Sequence, residues 1–204
     1  MSDDSRERTA GIWVVGILAL ILGAMGACGG TFSVIGLFFQ DAMVQMNDDL
    51  QASQPDPQLR EINRDMQREI MEVAQGYKWP NLALQLLNVL ASFALIVGGI
   101  LLFRWHPSAV MAMMIGLGLS IFVDLSLGGI QTAIGIQNMA VMDTYAQRMG
   151  ELGDPAAQRM MGGIMRASGS FGLCMGVGWA LAKIGFYVGS IVYLRKEKVR
   201  ALFY

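Results

Sequence analysis

Residues 12–22 have the sequence IWVVGILALIL, which contains no charged side chain. A helix at the surface of a soluble protein has apolar residues at three- and four-residue steps with polar residues between them, whereas this run is apolar all round. Such a surface is typical of a helix that faces lipid. The apolar character continues to Phe39, so the run from Ile12 to Phe39 exceeds the roughly 20 residues that cross a bilayer.

Three further apolar runs follow along the chain. They extend from Leu82 to Phe103, from Ala109 to Ile136 and from Phe171 to Leu194. Of the 204 residues, 54% are hydrophobic and only 15% are charged, a balance outside the range of ordinary soluble domains. The 25 glycines would weaken soluble helices but are common in membrane helices, where they allow close backbone approach. The sequence therefore predicts an all-α integral membrane four-helix bundle.

The two halves of the chain resemble each other in the order of their segments. The corresponding pairs are 29–36 (GGTFSVIG) with 128–135 (GGIQTAIG), Asp56-Pro57 with Asp154-Pro155, and 97–100 (VGGI) with 188–191 (VGSI). Because the order is preserved through the polar connectors as well as the spans, the pattern predicts two tandem helical hairpins. Each hairpin has an even number of spans, so both copies would insert in the same orientation.

This duplication divides the chain into four parts. They are a cytoplasmic N-terminal tail (1–10), a first helical hairpin (11–104) with an external hairpin at about 41–78, a second helical hairpin (105–195) with an external hairpin at about 138–168, and a basic cytoplasmic tail (196–204). Lysine and arginine are denser in the short flanks than in the long connectors, and basic flanks stay in the cytoplasm. We therefore expect a multi-pass protein of the plasma (inner) membrane with both termini cytoplasmic.

The long connectors are predicted to extend the helices beyond the bilayer on the extracytoplasmic side. Apolar residues at helical spacing include Met43, Met46, Leu50, Ile62, Met66, Ile70 and Val73 in the first, and Met139, Met142, Met149, Met160 and Ile164 in the second. Proline-containing turns at residues 55–57 and 153–155 separate the arms, and Tyr77, Trp79 and Pro80 mark the return to the bilayer. Many of the 16 methionines lie in these arms, where they either fill the core or form a plastic surface for a partner helix.

Two ionisable residues lie within the spans, Asp124 in the third and Lys183 in the fourth. Such a group usually faces a partner or a water-filled path, because a charge in hydrocarbon is costly. Counted at 1.5 Å per residue from the cytoplasmic ends, the two lie about 25 Å and about 17 Å deep, a gap that a lysine side chain can nearly bridge. The candidate polar network consists of Asp124, Lys183, Asn88, Gln85, Ser92 and Ser126. It is either a structural clasp between helices or a proton or ion relay.

Glycine pairs at four-residue spacing are candidate helix-packing residues. The pairs are Gly26 with Gly30, Gly172 with Gly176, and Gly185 with Gly189, and they would pack within the bundle or against another copy. Cys28 and Cys174 both fall within spans and are expected to be small packing residues. A lipidated Cys28 is the alternative, since residues 25–28 (MGAC) resemble a lipoprotein cleavage box. Apolar sequence continues past Cys28, which favours an uncleaved span.

Several function classes find little support in the sequence. A net charge of -1 leaves no basic stripe for a nucleic acid. Phosphate loops, paired haem histidines, Cys-x-x-Cys motifs and nucleophile–base pairs are all missing, so we expect no catalytic residues, no cofactor and no metal site. The expected partners are membrane lipids together with a partner membrane protein or a second copy of the chain.

Four spans with a large first external loop resemble tetraspan scaffolds, although only in outline, because the diagnostic cysteines of tetraspanins and claudins are absent. Two hypotheses remain. The first is a non-enzymatic tetraspan protein that scaffolds or regulates a membrane complex, using the acidic external hairpin and its methionines to meet a partner. The second is a small transporter or channel subunit that uses Asp124 and Lys183.

Overall fold

The computed structural model describes the backbone of residues 3–52, 57–151 and 155–203, and the side chains of residues 10–39, 57–58, 60–148, 150 and 175–203. All regular structure in these ranges is helical. The helices are α1 (Asp3–Ala52), α2 (Pro57–Gly76), α3 (Lys78–Phe103), α4 (Ala109–Glu151), α5 (Pro155–Leu194) and α6 (Glu197–Arg200). Pro57 and Pro155 begin α2 and α5, a position at which proline needs no hydrogen-bond donor. The rest of the two predicted turns, residues 53–56 and 152–154, lies outside the described residues.

Four helical segments are long and apolar enough to cross a membrane. They are Ala10–Phe39, Lys78–Phe103, Ala109–Arg148 and Met175–Leu194. Only between 17% and 33% of the residues in their most apolar windows are buried inside the protein, so most of the apolar surface faces outward. A soluble bundle would place polar residues there instead. The prediction of an all-helical fold with four helices long and apolar enough to span a membrane is confirmed, and these helices suggest a multi-pass membrane protein.

The helices continue beyond the apolar runs. As predicted, the helix of the first span does not stop at Phe39, and α1 continues to Ala52. On the return path the helix is interrupted at Tyr77, between α2 and α3. This is the boundary predicted from the aromatic and proline residues. In the second half, by contrast, α5 runs from Pro155 to Leu194 as one helix.

The chain forms two compact units. Unit 1 consists of Met1–Val34, Ala83–Ser126 and Ala180–Tyr204, and unit 2 consists of Ile35–Leu82 and Leu127–Trp179. Each unit takes residues from both halves of the sequence. The units therefore do not correspond to the two hairpins of the duplication, which stays a prediction.

The core of unit 1 combines residues from five helices. It includes Ile12 and Ala19 of α1, Leu95 and Leu102 of α3, Met113 and Leu117 of α4, Tyr187 and Leu194 of α5, and Val199 of α6. Glycines allow the backbones to approach closely: a Cβ added to Gly116 would lie 3.0 Å from the backbone nitrogen of Leu95. Close packing of this kind holds membrane helices together where lipid offers no hydrophobic drive.

The segment after α5 also packs against unit 1. Val199 is 2% and Phe203 5% exposed, and the Phe203 ring centroid lies 5.6 Å from that of Trp105. Trp105 has a φ of 52° and occupies the left-handed position of a Schellman cap at the end of α3, where glycine is commoner. The predicted basic tail (196–204) thus has a buried apolar side.

Unit 2 contains contacts between α2 and α4. The Tyr145 hydroxyl donates to Glu69 Oε1 at 3.1 Å, and Gln137 Nε2 donates to the Tyr77 hydroxyl at 3.2 Å. The Arg148 guanidinium lies 5.2 Å from the centre of the Tyr145 ring. Along α2 the predicted apolar stripe of Ile62, Met66, Ile70 and Val73 is half-buried, whereas Glu61, Asp65, Arg68, Glu69 and Glu72 are exposed.

Candidate functional site

Asp124 of α4 and Lys183 of α5 meet within unit 1. Lys183 Nζ lies 2.7 Å from Asp124 Oδ1, the distance of a charge-assisted hydrogen bond. The side chains of Lys183 and Asp124 are 19% and 14% exposed. Either charge alone would be costly in this largely buried position within an apolar span. Each partner therefore offsets part of the desolvation cost of the other. The structure brings these two candidate residues together.

A tyrosine and a serine complete this group, which we call the α4–α5 polar cluster (Ser120, Asp124, Lys183 and Tyr187). Tyr187 follows Lys183 by one helical turn, and Ser120 precedes Asp124 by one turn. The Tyr187 hydroxyl interacts with both Asp124 and Ser120, and the Lys183 ammonium lies 6.0 Å from the centre of the Tyr187 ring. Tyr187 and Ser120 are both buried. The cluster therefore joins α4 to α5 through a charge pair and a tyrosine.

The second oxygen of the carboxylate has a different environment. Asp124 Oδ2 is buried and accepts no hydrogen bond of good geometry from any residue that the structure describes. A carboxylate oxygen can accept two hydrogen bonds and is also the atom that would take up a proton. Among the described residues, the cluster therefore leaves one carboxylate oxygen with unused acceptor capacity next to Lys183.

The amide and hydroxyl groups of α3 form a separate group, the α1–α3 polar seam (Gln85, Asn88 and Ser92). Asn88 Nδ2 donates to the Gly26 carbonyl of α1 at 3.4 Å, a long hydrogen bond. Gln85 and Ser92 are buried on the same helix. Among the described residues Asn88 makes no hydrogen bond to Asp124, so the candidate polar network divides into two groups.

Ser126 belongs to neither group. It follows Asp124 by two residues, which places it roughly 200° around α4 from the ion pair. Its side chain is half-buried. Its place in the polar network therefore has no support from the contacts of Asp124.

The candidate packing glycines fall into two kinds. On α1, a Cβ added to Gly26 would collide with Ser92 Oγ, and one added to Gly30 would lie 2.9 Å from Val89 Cγ2. On α5, a Cβ added to Gly176, Gly185 or Gly189 would meet no atom within 4 Å. The side-chain environment at Gly172 lies outside the described residues. The α1 pair is thus packed within the chain, and the described α5 glycines are open.

Two contacts were not anticipated from the sequence. Tyr187 is central to the α4–α5 polar cluster, and its four-residue spacing from Lys183 was the available signal. The hydrogen bond between Tyr145 and Glu69 joins residues 76 positions apart, for which the sequence carries no local signal.

In the described part of the chain no three His, Cys, Asp or Glu side chains are placed to hold a metal ion. Cys28 is a free, exposed thiol. The side chain of Cys174 is not among those described.

Comparison with other proteins gives no family assignment. No protein-family model matches the chain, and no curated protein and no solved structure shows significant similarity to it. Function is therefore inferred from the polar clusters and the exposed helix surfaces alone.

Proposed function

We propose that this protein is a non-enzymatic scaffold or regulatory subunit of a membrane complex, and that α5 is the helix through which it contacts a transmembrane helix of its partner. The supporting observation is an open face of small residues on α5, formed by Ala182, Gly185 and Gly189. All three are exposed, and no atom of the described residues lies within 4 Å of a Cβ added to either glycine. We call this the α5 small-residue face.

Elsewhere in unit 1, several glycines pack closely against a neighbouring helix. A Cβ added to Gly23, Gly98 or Gly116 would come within 3.1 Å of backbone atoms of another helix. Small residues let two membrane helices approach closely, and the benefit arises only when a second helix is present. On α5, by contrast, no helix among the described residues packs against Gly185 or Gly189.

The large residues beside the face fit the same role. Leu181 is 64% and Val188 48% exposed, and they border the shallow groove that the small residues leave. Met175–Leu194 is also the span with the smallest buried share, at 17%. A partner helix in this groove would bury part of the span that has the smallest buried share within the chain.

The α4–α5 polar cluster supports a scaffold by fixing α5. The pair of Asp124 and Lys183 ties α5 to α4 at one depth, and Tyr187 adds a contact one turn away. A polar clasp of this kind between membrane helices sets their register and rotation. A fixed rotation keeps the α5 small-residue face outward.

In this proposal the chain consists of two tandem hairpins in the plasma (inner) membrane, with both termini in the cytoplasm. The exposed basic residues at the ends of α3 and α5 all belong to unit 1, and they favour this orientation. They are Arg104, Arg195, Lys196, Lys198 and Arg200. The arms of unit 2 would then extend outside the cytoplasm, with the exposed acidic residues of α2 and the methionine-rich surface as a second contact for the partner.

Photo-crosslinking in native membranes tests the scaffold. A photoreactive amino acid at Val188 should give a crosslink to another membrane protein, whereas one at Phe122, an exposed position of α4, should give lipid crosslinks. Gly185→Leu with Gly189→Leu should abolish the protein crosslink because the new side chains fill the groove.

Gly118→Leu is the matched control. Gly118 is also open, but it lies on α4 between large residues and away from the α5 small-residue face, so the crosslink should persist in this variant. Crosslinks from Val188 to lipid alone, or only to a second copy of the chain, would contradict the proposed partner.

A small transporter or channel subunit is the second candidate function. The observation that favours it is the buried Asp124 Oδ2, which has no hydrogen-bond donor among the described residues and lies beside a lysine. An ionisable group with spare acceptor capacity inside a membrane is a common element of proton and ion paths.

Reconstitution into liposomes separates the two candidates. With Asp124→Asn and Lys183→Met, a transporter would lose its ion-dependent flux, whereas a scaffold would show no flux above empty liposomes with or without these changes. Flux in the wild type that both changes leave unaffected, or no flux above empty liposomes, removes the transporter function.

A further inference from the structure

A cleft opens at the end of unit 1 where α4 begins and α5 ends. It has a volume of about 460 Å³ and is lined by Val110, Met111, Met114, Ile115, Arg195 and Arg200. Ligand sites in proteins commonly have volumes of several hundred cubic ångströms. This cleft is separate from the α4–α5 polar cluster and from the α5 small-residue face.

The cleft has an apolar wall and a basic rim. The wall is one face of the first two turns of α4, on which Met111 is 67% and Ile115 50% exposed. The rim consists of Arg195, which precedes α6, and Arg200, the last residue of α6, and both are exposed. No carboxylate that the structure describes forms an ion pair with either guanidinium. The cleft therefore offers two uncommitted arginines above an apolar surface.

Arg200 is held in position by its neighbours. Val199 and Phe203 are buried in the core of unit 1, and Arg200 lies between them in the sequence. The Arg200 backbone nitrogen donates to the Lys196 carbonyl at 3.0 Å. A guanidinium on an anchored backbone loses less conformational freedom when it binds a ligand.

The position of the cleft indicates the kind of ligand. α4 begins at Ala109 and α5 ends at Leu194, so the arginines lie where the apolar spans end, and Ile115 lies about 9 Å further along α4 at 1.5 Å per residue. A ligand that matches both parts has an anionic head and an apolar chain. Arginine forms bidentate hydrogen bonds with phosphate, and basic pockets at the ends of membrane helices suit anionic head groups.

We propose that this cleft is a binding site for one anionic glycerophospholipid. Its phosphate is held by Arg195 and Arg200, and an acyl chain lies along Met111, Met114 and Ile115. Charge alone does not define the site, because Lys196 and Lys198 are equally exposed in the same segment but do not line the cleft.

Native mass spectrometry of the protein released from nanodiscs tests this site. In nanodiscs of equal parts phosphatidylcholine and phosphatidylglycerol, the wild type should retain one phosphatidylglycerol in preference to phosphatidylcholine. Arg195→Gln with Arg200→Gln should weaken that retention by about tenfold or more, because the charge-assisted contacts to phosphate are lost. Lys196→Gln with Lys198→Gln removes the same charge and should retain the lipid. Equal loss in both double variants, or no preference in the wild type, would overturn the proposal.

Two further experiments distinguish a lipid ligand from free phosphate and control for misfolding of the arginine variants. Adding phosphatidylglycerol to the delipidated protein should raise its thermal stability, whereas adding inorganic phosphate should not. An equal rise in thermal stability with both would indicate that the cleft binds anions in general and would contradict a lipid site. Ile115→Trp keeps both arginines and fills the apolar wall at a half-exposed position, so it should fold and lose the retained lipid. Unchanged retention in Ile115→Trp would contradict the acyl-chain contact.

Discussion

Asp124 and Lys183 are charged within segments that are otherwise apolar, and each is tolerated because of the other. Their 2.7 Å contact joins α4 to α5, and Tyr187 lies against both partners. Removing one partner leaves an uncompensated charge, whereas removing both leaves two neutral side chains of similar size. The two outcomes have different free energies of unfolding, which makes the pair testable without knowledge of a ligand.

We expect Asp124→Asn to lower the free energy of unfolding by about 2–4 kcal/mol, because the Lys183 ammonium then lacks its counter-ion. Lys183→Met should likewise lower it, because the Asp124 carboxylate then lacks its counter-ion. The double variant should be within about 1 kcal/mol of the wild type. Unfolding titrations in mixed micelles measure all three. If the loss of unfolding free energy in the double variant equals the sum of the losses in the two single variants, the pair is not coupled.

The candidate site could be predicted in part at this scale. Asp124 and Lys183 are found from the sequence because charged residues are rare inside apolar spans. Asn88 was grouped with Asp124 by depth alone, but it donates to the Gly26 carbonyl on α1. Depth follows from residue counting, whereas the rotation of each helix is set by packing and has no comparable signal in the sequence.

Among the helices, α1 and α5 carry the same glycine spacing with different outcomes. Gly26 and Gly30 of α1 face side chains of α3, whereas Gly185 and Gly189 of α5 face open space. The sequence motif marks where helices can approach closely, and it does not tell which of them has its partner within the same chain. That distinction carries the proposed role of α5.

The close contact of α1 with α3 gives a prediction with an internal control. A Cβ added to Gly23 would lie 2.9 Å from the Ser92 carbonyl oxygen, a backbone atom that cannot rotate away, so Gly23→Ala should destabilise the protein by about 1–3 kcal/mol. Gly29 has nothing within 4 Å, so Gly29→Ala should be neutral or stabilising by up to about 1 kcal/mol. Thermal unfolding in detergent compares the two variants. Equal destabilisation by both would contradict the packing of α1 on α3.

Helix boundaries were predictable where the chemistry is local. Proline and aromatic residues near Tyr77 marked the break between α2 and α3, and Pro155 marked the start of α5. The continuation of α4 beyond its apolar run was also predictable, because apolar residues at helical spacing follow Ile136 as far as the turn predicted at residues 153–155, and the helix ends at Glu151.

For the whole molecule, hydropathy alone was enough to predict the number of helices that are long and apolar enough to span a membrane. A run of about 20 apolar residues has few alternatives to a helix in lipid, because every backbone group must be hydrogen-bonded within the segment. The division into two compact units was not predictable, since it depends on contacts between residues far apart in the sequence. Unit 1 contains the α4–α5 polar cluster, the α5 small-residue face and the lipid cleft, and all three roles assume that its helices lie in a bilayer.

Thiol labelling from the two sides of the membrane tests that assumption most directly. Single cysteines would replace Ser5, Ser108, Glu197, Gln75 and Gln147 in a background whose two native cysteines are serine. The account predicts that a membrane-impermeant maleimide labels positions 75 and 147 from outside intact cells, and positions 5, 108 and 197 only in inside-out vesicles. Labelling of positions 75, 108 and 147 from the same side would contradict four crossings, and with them the functions proposed for the spans.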